Sequence, residues 1–256
     1  MRRAGRGAKS VKATDRVGPQ KRVPINADRA LEIVTAATQL FAEEGFRVPL
    51  QRLADRIGIT QPLIHHYFPT KADLVRVVKE GLRLRHWKRD WSIMLMDAGR
   101  PLPDRIAAFY EDYLPSFFNP VWYRAFVYAA LEDATFAQAH LDHVTHELLG
   151  AIIQAVRLEF GYADIATLPP REREVELVWG LHSTFTFLGQ RRYIYEMEVS
   201  RDLGATIRDQ IFAYLSVAPV VMADLLGPPA VQKDNEWKAK SVRPSSRKID
   251  APASAN

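Results

Sequence analysis

Cysteine is absent from the 256 residues. That absence removes disulfides, thiol nucleophiles and cysteine-ligated zinc together, and it suits a reducing cytoplasm. Also missing are a GxSxG elbow, an HExxH pair and a glycine-rich phosphate loop, so no enzyme is expected. No apolar run approaches the roughly 18 residues of a membrane span. The basic amino terminus, MRRAGRGAKSVKATDRVGPQKR, lacks the apolar centre of a secretory signal. Repeats with a period of about 20 to 50 residues are missing, which sets solenoids aside, and strand-like alternation is missing throughout. A soluble, cytoplasmic, all-α protein without cofactor or structural metal is the expectation.

What is present begins with charge. The formal net charge is +5, but its distribution says more than its total. Arg2, Arg3, Arg6, Lys9, Lys12, Arg16, Lys21 and Arg22 face only Asp15, and the stretch after Gly227 is also basic, so the middle of the chain is mildly acidic. Residues 1–23 and 227–256 therefore read as disordered ends. The first of them could also serve as an arm that touches phosphates. Between them the chain is 47% hydrophobic overall, enough for a real core.

Helical periodicity runs from Ala27 onward. Asn26 can cap a helix carrying Ala30, Ile33, Ala37, Leu40 and Phe41 on one face and ending at Gly45. Leu50, Leu53, Ala54 and Ile57 repeat the spacing up to Gly58. From Lys71 a long helix is expected through Leu82 to Met96. Further helices are expected from Asp104, with Pro115 and Pro120 bracketing a turn, then over Val121 to Leu131 and Ala134 to Phe160. After the loop GYADIATLPP come two more, over Arg171 to Glu196 and Arg201 to Leu226, with Pro219 a kink or stop.

The segment DRIGITQPLIHHYF joins two of these helices. Gly58 sits where the backbone needs positive φ, Ile59 can plug the core, and the Thr60 hydroxyl can cap the next helix. On a helical wheel from Gln61, Ile64 and Phe68 point one way, while Pro62, Leu63, His65 and His66 fall on the other side. A helix-turn-helix with an outward face of rings, a methyl-bearing chain and hydrogen-bonding groups suits the DNA major groove. Tyr67 on the flank and Lys71 at the next helix start are placed for phosphates. The bland alternative, histidines that simply lie on the surface, accounts for each residue singly but not for the collection.

The stretch Ile33 to Leu74, with IVTAATQLFAEEGF, PLQRLADRIGIT and QPLIHHYFPTKADL, resembles the DNA-binding domain of the TetR family of transcriptional regulators. The resemblance implies an amino-terminal helix-turn-helix domain over 24–70 and a larger helical ligand-binding and dimerisation domain over 71–226. It implies that Gln61 to Tyr67 is the recognition helix, that Tyr67 and Lys71 touch phosphates, and that Gln51 and Arg52 also meet DNA, alongside Thr60, Gln61, Pro62, Leu63, His65 and His66. His65 stands where the family usually has Tyr, and Leu63 replaces a small or hydroxylated residue, so base preference does not carry over. The partners implied are a pseudo-palindromic double-stranded operator, a second copy of the chain and a small ligand, with no membrane. The last two helices would form the dimer surface, with Gly180, Ser183, Thr184 and Gly189 allowing close approach; wholly intramolecular packing is the alternative.

The intervening helices are rich in rings. A largely apolar or aromatic ligand would meet Tyr110, Trp122, Phe126, His143, His146, Trp179 and His182, although most such rings simply pack. His140, His143 and His146 recur every third residue, but the outer two lie about 240° apart on a helix and cannot aim at one ion. The expected function is a ligand-responsive, homodimeric repressor with the helix from Lys71 to Met96 as lever. Rival readings are an architectural DNA binder without ligand response and a helical carrier or interaction protein without specific DNA binding.

Overall fold

The computed structural model describes residues 27–84, 88 and 90–230; Asn26 and the two basic ends lie outside them. Among the described residues there is no strand. The first four helices are α1 (Ala27–Glu44), α2 (Leu50–Ile57), α3 (Gln61–Tyr67) and α4 (Lys71–Leu84). Ile33, Ala37, Leu40 and Phe41 of α1, Leu50, Leu53 and Ala54 of α2, and Ile64 of α3 meet in one core. These are the residues at three- and four-residue spacing, so the apolar stripes of short helices are buried against one another. Gly58 ends α2 at φ 66° and ψ 33°, a left-handed conformation, and the Ile59 amide turns back to the Ala54 carbonyl at 3.0 Å. Glycine reaches that conformation without the Cβ penalty, which keeps the turn before α3 short.

The long helix expected from Lys71 to Met96 does not form as one rod. Leu84 is its last described helical residue before the non-helical Lys88, and α5 (Asp90–Met96) follows as a separate element. Two cores pull the segment apart. Leu74, Val78 and Leu82 pack with α1 to α3, whereas Trp91 and Leu95 enter the second core. Lys88 and Trp91 both bond the Asp112 carboxylate, at 2.7 Å each.

The second core gathers α5, α6 (Leu102–Phe117), part of α7 (Pro120–Glu132), α9 (Gly150–Glu159), α10 (Glu172–Tyr193) and α11 (Leu203–Leu226), whereas Phe136 of α8 (Ala134–His143) joins the first. Pro115 was expected in a turn but lies inside α6, and α11 runs through Pro219 to Leu226. Pro115 is solvent-exposed and only two residues from the helix end, so the bond its missing N–H forfeits lies in the last turn and little helix remains beyond it to be disturbed. Between α8 and α9 the backbone widens into a π-helical segment, Val144–Leu149, ending with the Gly150 amide on the Thr145 carbonyl five residues back. The Thr145 hydroxyl and the His146 ring each donate to a carbonyl four residues back, Leu141 and Asp142, at 2.7 Å. Side chains thus occupy acceptors that the widened turn leaves available. Buried Arg157 ties the following loop to α10 by pairing with Glu174 and donating to the Leu168 carbonyl.

The α11 helix also revises the expectation of no membrane-length apolar segment. Over an 18-residue window its mean hydropathy is 1.4, sufficient by length and composition to cross a membrane. One face, with Ile207, Ile211, Tyr214, Leu215, Ala218 and Met222, is buried. The other carries Phe212, Val217 and Val220 at 51%, 46% and 69% exposure. These three side chains leave an apolar strip along the open side of α11.

Gly189 is not part of that outer surface. It is buried, and a Cβ built there would stand 2.1 Å from the Tyr123 ring, whose hydroxyl donates to the Thr186 carbonyl at 2.9 Å. Glycine is needed here because α7 crosses α10 closely. Gly180 and Ser183 face outward.

Two substitutions test these backbone constraints. Gly58→Val forces a β-branched residue into left-handed geometry and is expected to cost about 1 to 3 kcal/mol. Gly189→Ala overpacks the Tyr123 contact and is expected to cost about 1 to 3 kcal/mol. Urea melts read both; an unchanged midpoint contradicts the corresponding constraint.

Candidate nucleic-acid interface

The short α3 helix owes its orientation to one buried side chain. Ile64 is 0% exposed and Phe68, just past the helix end, 8%. On the opposite side Pro62, His65 and His66 are exposed and Gln61 and Leu63 half-buried. The face expected to meet DNA therefore points outward. Tyr67 is half-buried against the first core, with its ring edge-on to His66 at 5.3 Å between centroids.

Thr60 stands at the helix start, but its hydroxyl makes no capping bond. The physical reason is local: Pro62 has no N–H to offer, and the Leu63 amide is taken by the Thr60 backbone carbonyl at 3.0 Å. Instead of capping, the exposed hydroxyl remains at the surface beside Gln61.

The start of α4 has a cap that sequence reading overlooked. The Thr70 amide and hydroxyl donate to Asp73 at 3.0 and 2.7 Å, and the Asp73 amide returns a bond to the Thr70 hydroxyl at 3.1 Å. The signal was the T-x-x-D spacing just ahead of an apolar stripe. This reciprocal pair lowers the Asp73 carboxyl below its ordinary range through the Thr70 bonds. It also holds Lys71 in the first helical turn, where partial burial pushes the ammonium down from its ordinary value against the opposing pull of Glu132.

On α2, Gln51 and Arg52 are exposed and already engaged. Gln51 donates to Asp55 at 2.7 Å, and Arg52 reaches Glu44 at 3.2 Å. Arg56, not foreseen from sequence, pairs through both guanidinium nitrogens with Glu43. The Arg56 bond holds Glu43 below the usual carboxylate range. A cation one helical turn beyond Arg52 was visible in the spacing, but its acidic partner lies on another helix.

The ring-bearing ligand candidates form two main groups that Tyr113 and Phe117 link through ring contacts, with His146 outside them. Tyr110 and His182 meet in the core, with the hydroxyl 3.4 Å from Nδ1, and the Trp179 ring stands edge-on to His182 at 5.5 Å. Trp122 and Phe126 stack at 4.9 Å on α7. Beside this stacked pair sits buried His140, a residue considered from sequence only as a metal ligand, 4.9 Å from the Phe126 ring and 6.0 Å from the Trp122 ring. His143 is half-buried, and His146 is exposed with its ring committed to the Asp142 carbonyl. No group of three or more metal-ligating side chains occurs among the described residues.

Several bonds join the two cores through α7. The Trp122 indole donates to the Leu82 carbonyl at 2.8 Å, Arg124 donates to the Ala42 carbonyl at 3.0 Å, and Lys79 pairs with Asp133 at 3.1 Å. Ala125 and Ala129 bury themselves among the side chains of α1. The bonds from Thr135 and Lys79 hold Asp133 down to about 2.

A family model described as bacterial regulatory proteins, tetR family, matches residues 33–78. Among solved structures, a putative TetR-family transcriptional regulator from Mesorhizobium loti is similar with a TM-score of 0.52 at 12% identity, over 76% of this chain and 96% of that one. AmtR from Mycobacterium smegmatis aligns with a TM-score of 0.47 at 20% identity, over 83% and 97%. Among curated proteins none matches the chain in sequence.

Replacing Tyr67 by Phe and Lys71 by Ala is expected to weaken duplex binding uniformly across sequences and to reduce the slope of log affinity against log salt by about one for the lysine. Changing Leu63 or His66 is expected to alter base preference instead; fluorescence anisotropy over a salt series separates the two effects. The buried histidines give a pH signature. Burial lowers His140 to about 4 and His182 to about 3. Both rings are neutral in the fold and take a proton more readily once unfolded, so their contribution is full above pH 6.5. It is lost as pH falls, down to about 4 for His140 and about 3 for His182, by up to about 1.4 kcal/mol per pH unit for each ring. His140→Gln should flatten that slope in urea melts.

Proposed function

We propose that this DNA-binding transcriptional regulator, whose residues 33–78 carry the TetR-family amino-terminal domain, works as a homodimeric repressor released from a pseudo-palindromic operator by a small, largely apolar ligand. The observation that carries the reading is the orientation of α3. Ile64 is fully buried, while Pro62, His65 and His66 stand in solvent beside the Thr60 hydroxyl and Lys71.

One such helix spans only a few base pairs, so a pair held about 34 to 36 Å apart is needed for useful affinity. The uncovered apolar side of α11, with Phe212 and Val220, together with exposed Phe187 of α10, supports pairing of these two helices with their copies. Gly180 and Ser183 on the outer side of α10 favour a close approach. Burying this surface also accounts for a helix whose composition would suit a membrane.

Tyr110, Trp122, Phe126, His143, Trp179 and His182 are the residues proposed for the ligand; His146 is the least favoured of the original set because it lies outside. The lever shortens to α4 and gains α7 as its partner. A ligand that moves Trp122 disturbs the bond to the Leu82 carbonyl near the end of α4. Only a difference in affinity between the two arrangements shifts the balance, and about 1.4 kcal/mol changes operator affinity tenfold.

Selection from random duplex DNA is expected to return a two-fold-related motif. Phe212→Glu with Val220→Glu should convert the dimer to monomers in sedimentation and lower operator affinity by at least about tenfold, since each helix must then bind alone. Monomers in the unaltered protein, or full affinity in the double variant, contradict the dimeric reading.

A further inference from the structure

Along the outer face of α3 three groups form a short chain of hydrogen bonds. His65 Nδ1 lies 3.0 Å from the Pro69 carbonyl oxygen, and His65 Nε2 lies 3.2 Å from the Gln61 amide nitrogen. A carbonyl oxygen only accepts, so Nδ1 carries the proton. In the neutral ring Nε2 is then an acceptor, and the Gln61 amide donates to it. The backbone of the turn after α3 thereby sets the tautomer of His65, and the ring sets the orientation of the Gln61 amide.

The geometry points to Gln61 and His65 acting as one reading unit that selects adenine at the base pair facing Gln61. This inference rests on the reading of α3 as the recognition helix. With one amide hydrogen committed to His65, Gln61 retains the carbonyl oxygen and the second hydrogen. That leaves one acceptor and one donor at the first position of α3, the end from which a recognition helix reaches base edges. Adenine presents the matching pair in the major groove, the N6 amino donor and the N7 acceptor. Guanine presents two acceptors, N7 and O6, and would set O6 against the amide oxygen. An unrestrained glutamine could turn its amide to suit either purine. The histidine removes that freedom, so the specificity of Gln61 is determined one helical turn away.

The role of His65 is therefore positioning, and its signature is a loss of discrimination at a single base pair. Random duplex pools would be selected in parallel with the unaltered chain, Gln61→Ala and His65→Phe. The position whose preference vanishes in Gln61→Ala identifies the base pair facing Gln61. There the unaltered chain is expected to favour adenine over guanine by about tenfold or more. In His65→Phe, which keeps a ring but neither nitrogen, that preference should fall below about threefold while other positions keep theirs. Guanine at that position in the unaltered chain, or an unchanged adenine preference in His65→Phe, overturns the inference and leaves α3 as the recognition helix. Failure of the unaltered chain to enrich any duplex overturns both.

Discussion

The outward face of α3 exists because its inward face is fixed. Seven residues are too few for a helix to be stable alone, and its orientation depends on Ile64, fully buried among the side chains of α1 and α2. Burying such a side chain is worth roughly 1.5 to 3 kcal/mol. That is enough to hold one short turn of structure against rotation, and rotation is what would turn His65 and His66 away from the surface proposed to meet DNA. The left-handed Gly58 and the reciprocal Thr70–Asp73 cap close the helix in at its two ends. Rigidity is thus concentrated at three local points around a small polar surface.

The second constraint is the seam between the cores. Small residues of α7 let α1 approach closely, and three polar bonds from α4, α1 and the α7–α8 junction fasten the seam. Trp122 belongs to both sides: its ring stacks on Phe126 in the neighbourhood of His140, and its N–H holds the end of α4. A chemical event among the rings therefore has a short physical route to the helices proposed to meet DNA. The exposed apolar side of α11 is the surface on which the proposed pairing of two such units rests.

Much of this organisation was legible in residue spacing. The three-and-four pattern located α1 to α3, and the glycine before Ile59 located the turn, because local geometry decides both. The outward set from Pro62 to His66 followed from the same wheel that buried Ile64. Where the reading departed, distant partners decided. The break after α4 depends on Trp91 joining a different core from Leu82, and no local breaker residue marks it. Gly189 looked like a helix-pairing glycine until Tyr123 was found against it. Thr60 has the residue type of a cap, yet the proline two positions on withdraws the donor it would use. His140 gains its interest from burial against the stacked Phe126 and Trp122 rings, which spacing alone did not reveal.

Hydrogen exchange of the protein with and without a duplex that it binds tests the central claim most directly. The account predicts that slowing of backbone exchange on binding is concentrated in residues 50–71, around α2, α3 and the start of α4, with the second core little changed. Slowing confined to the helices beyond Lys88, with α3 exchanging as it does in free protein, would contradict it.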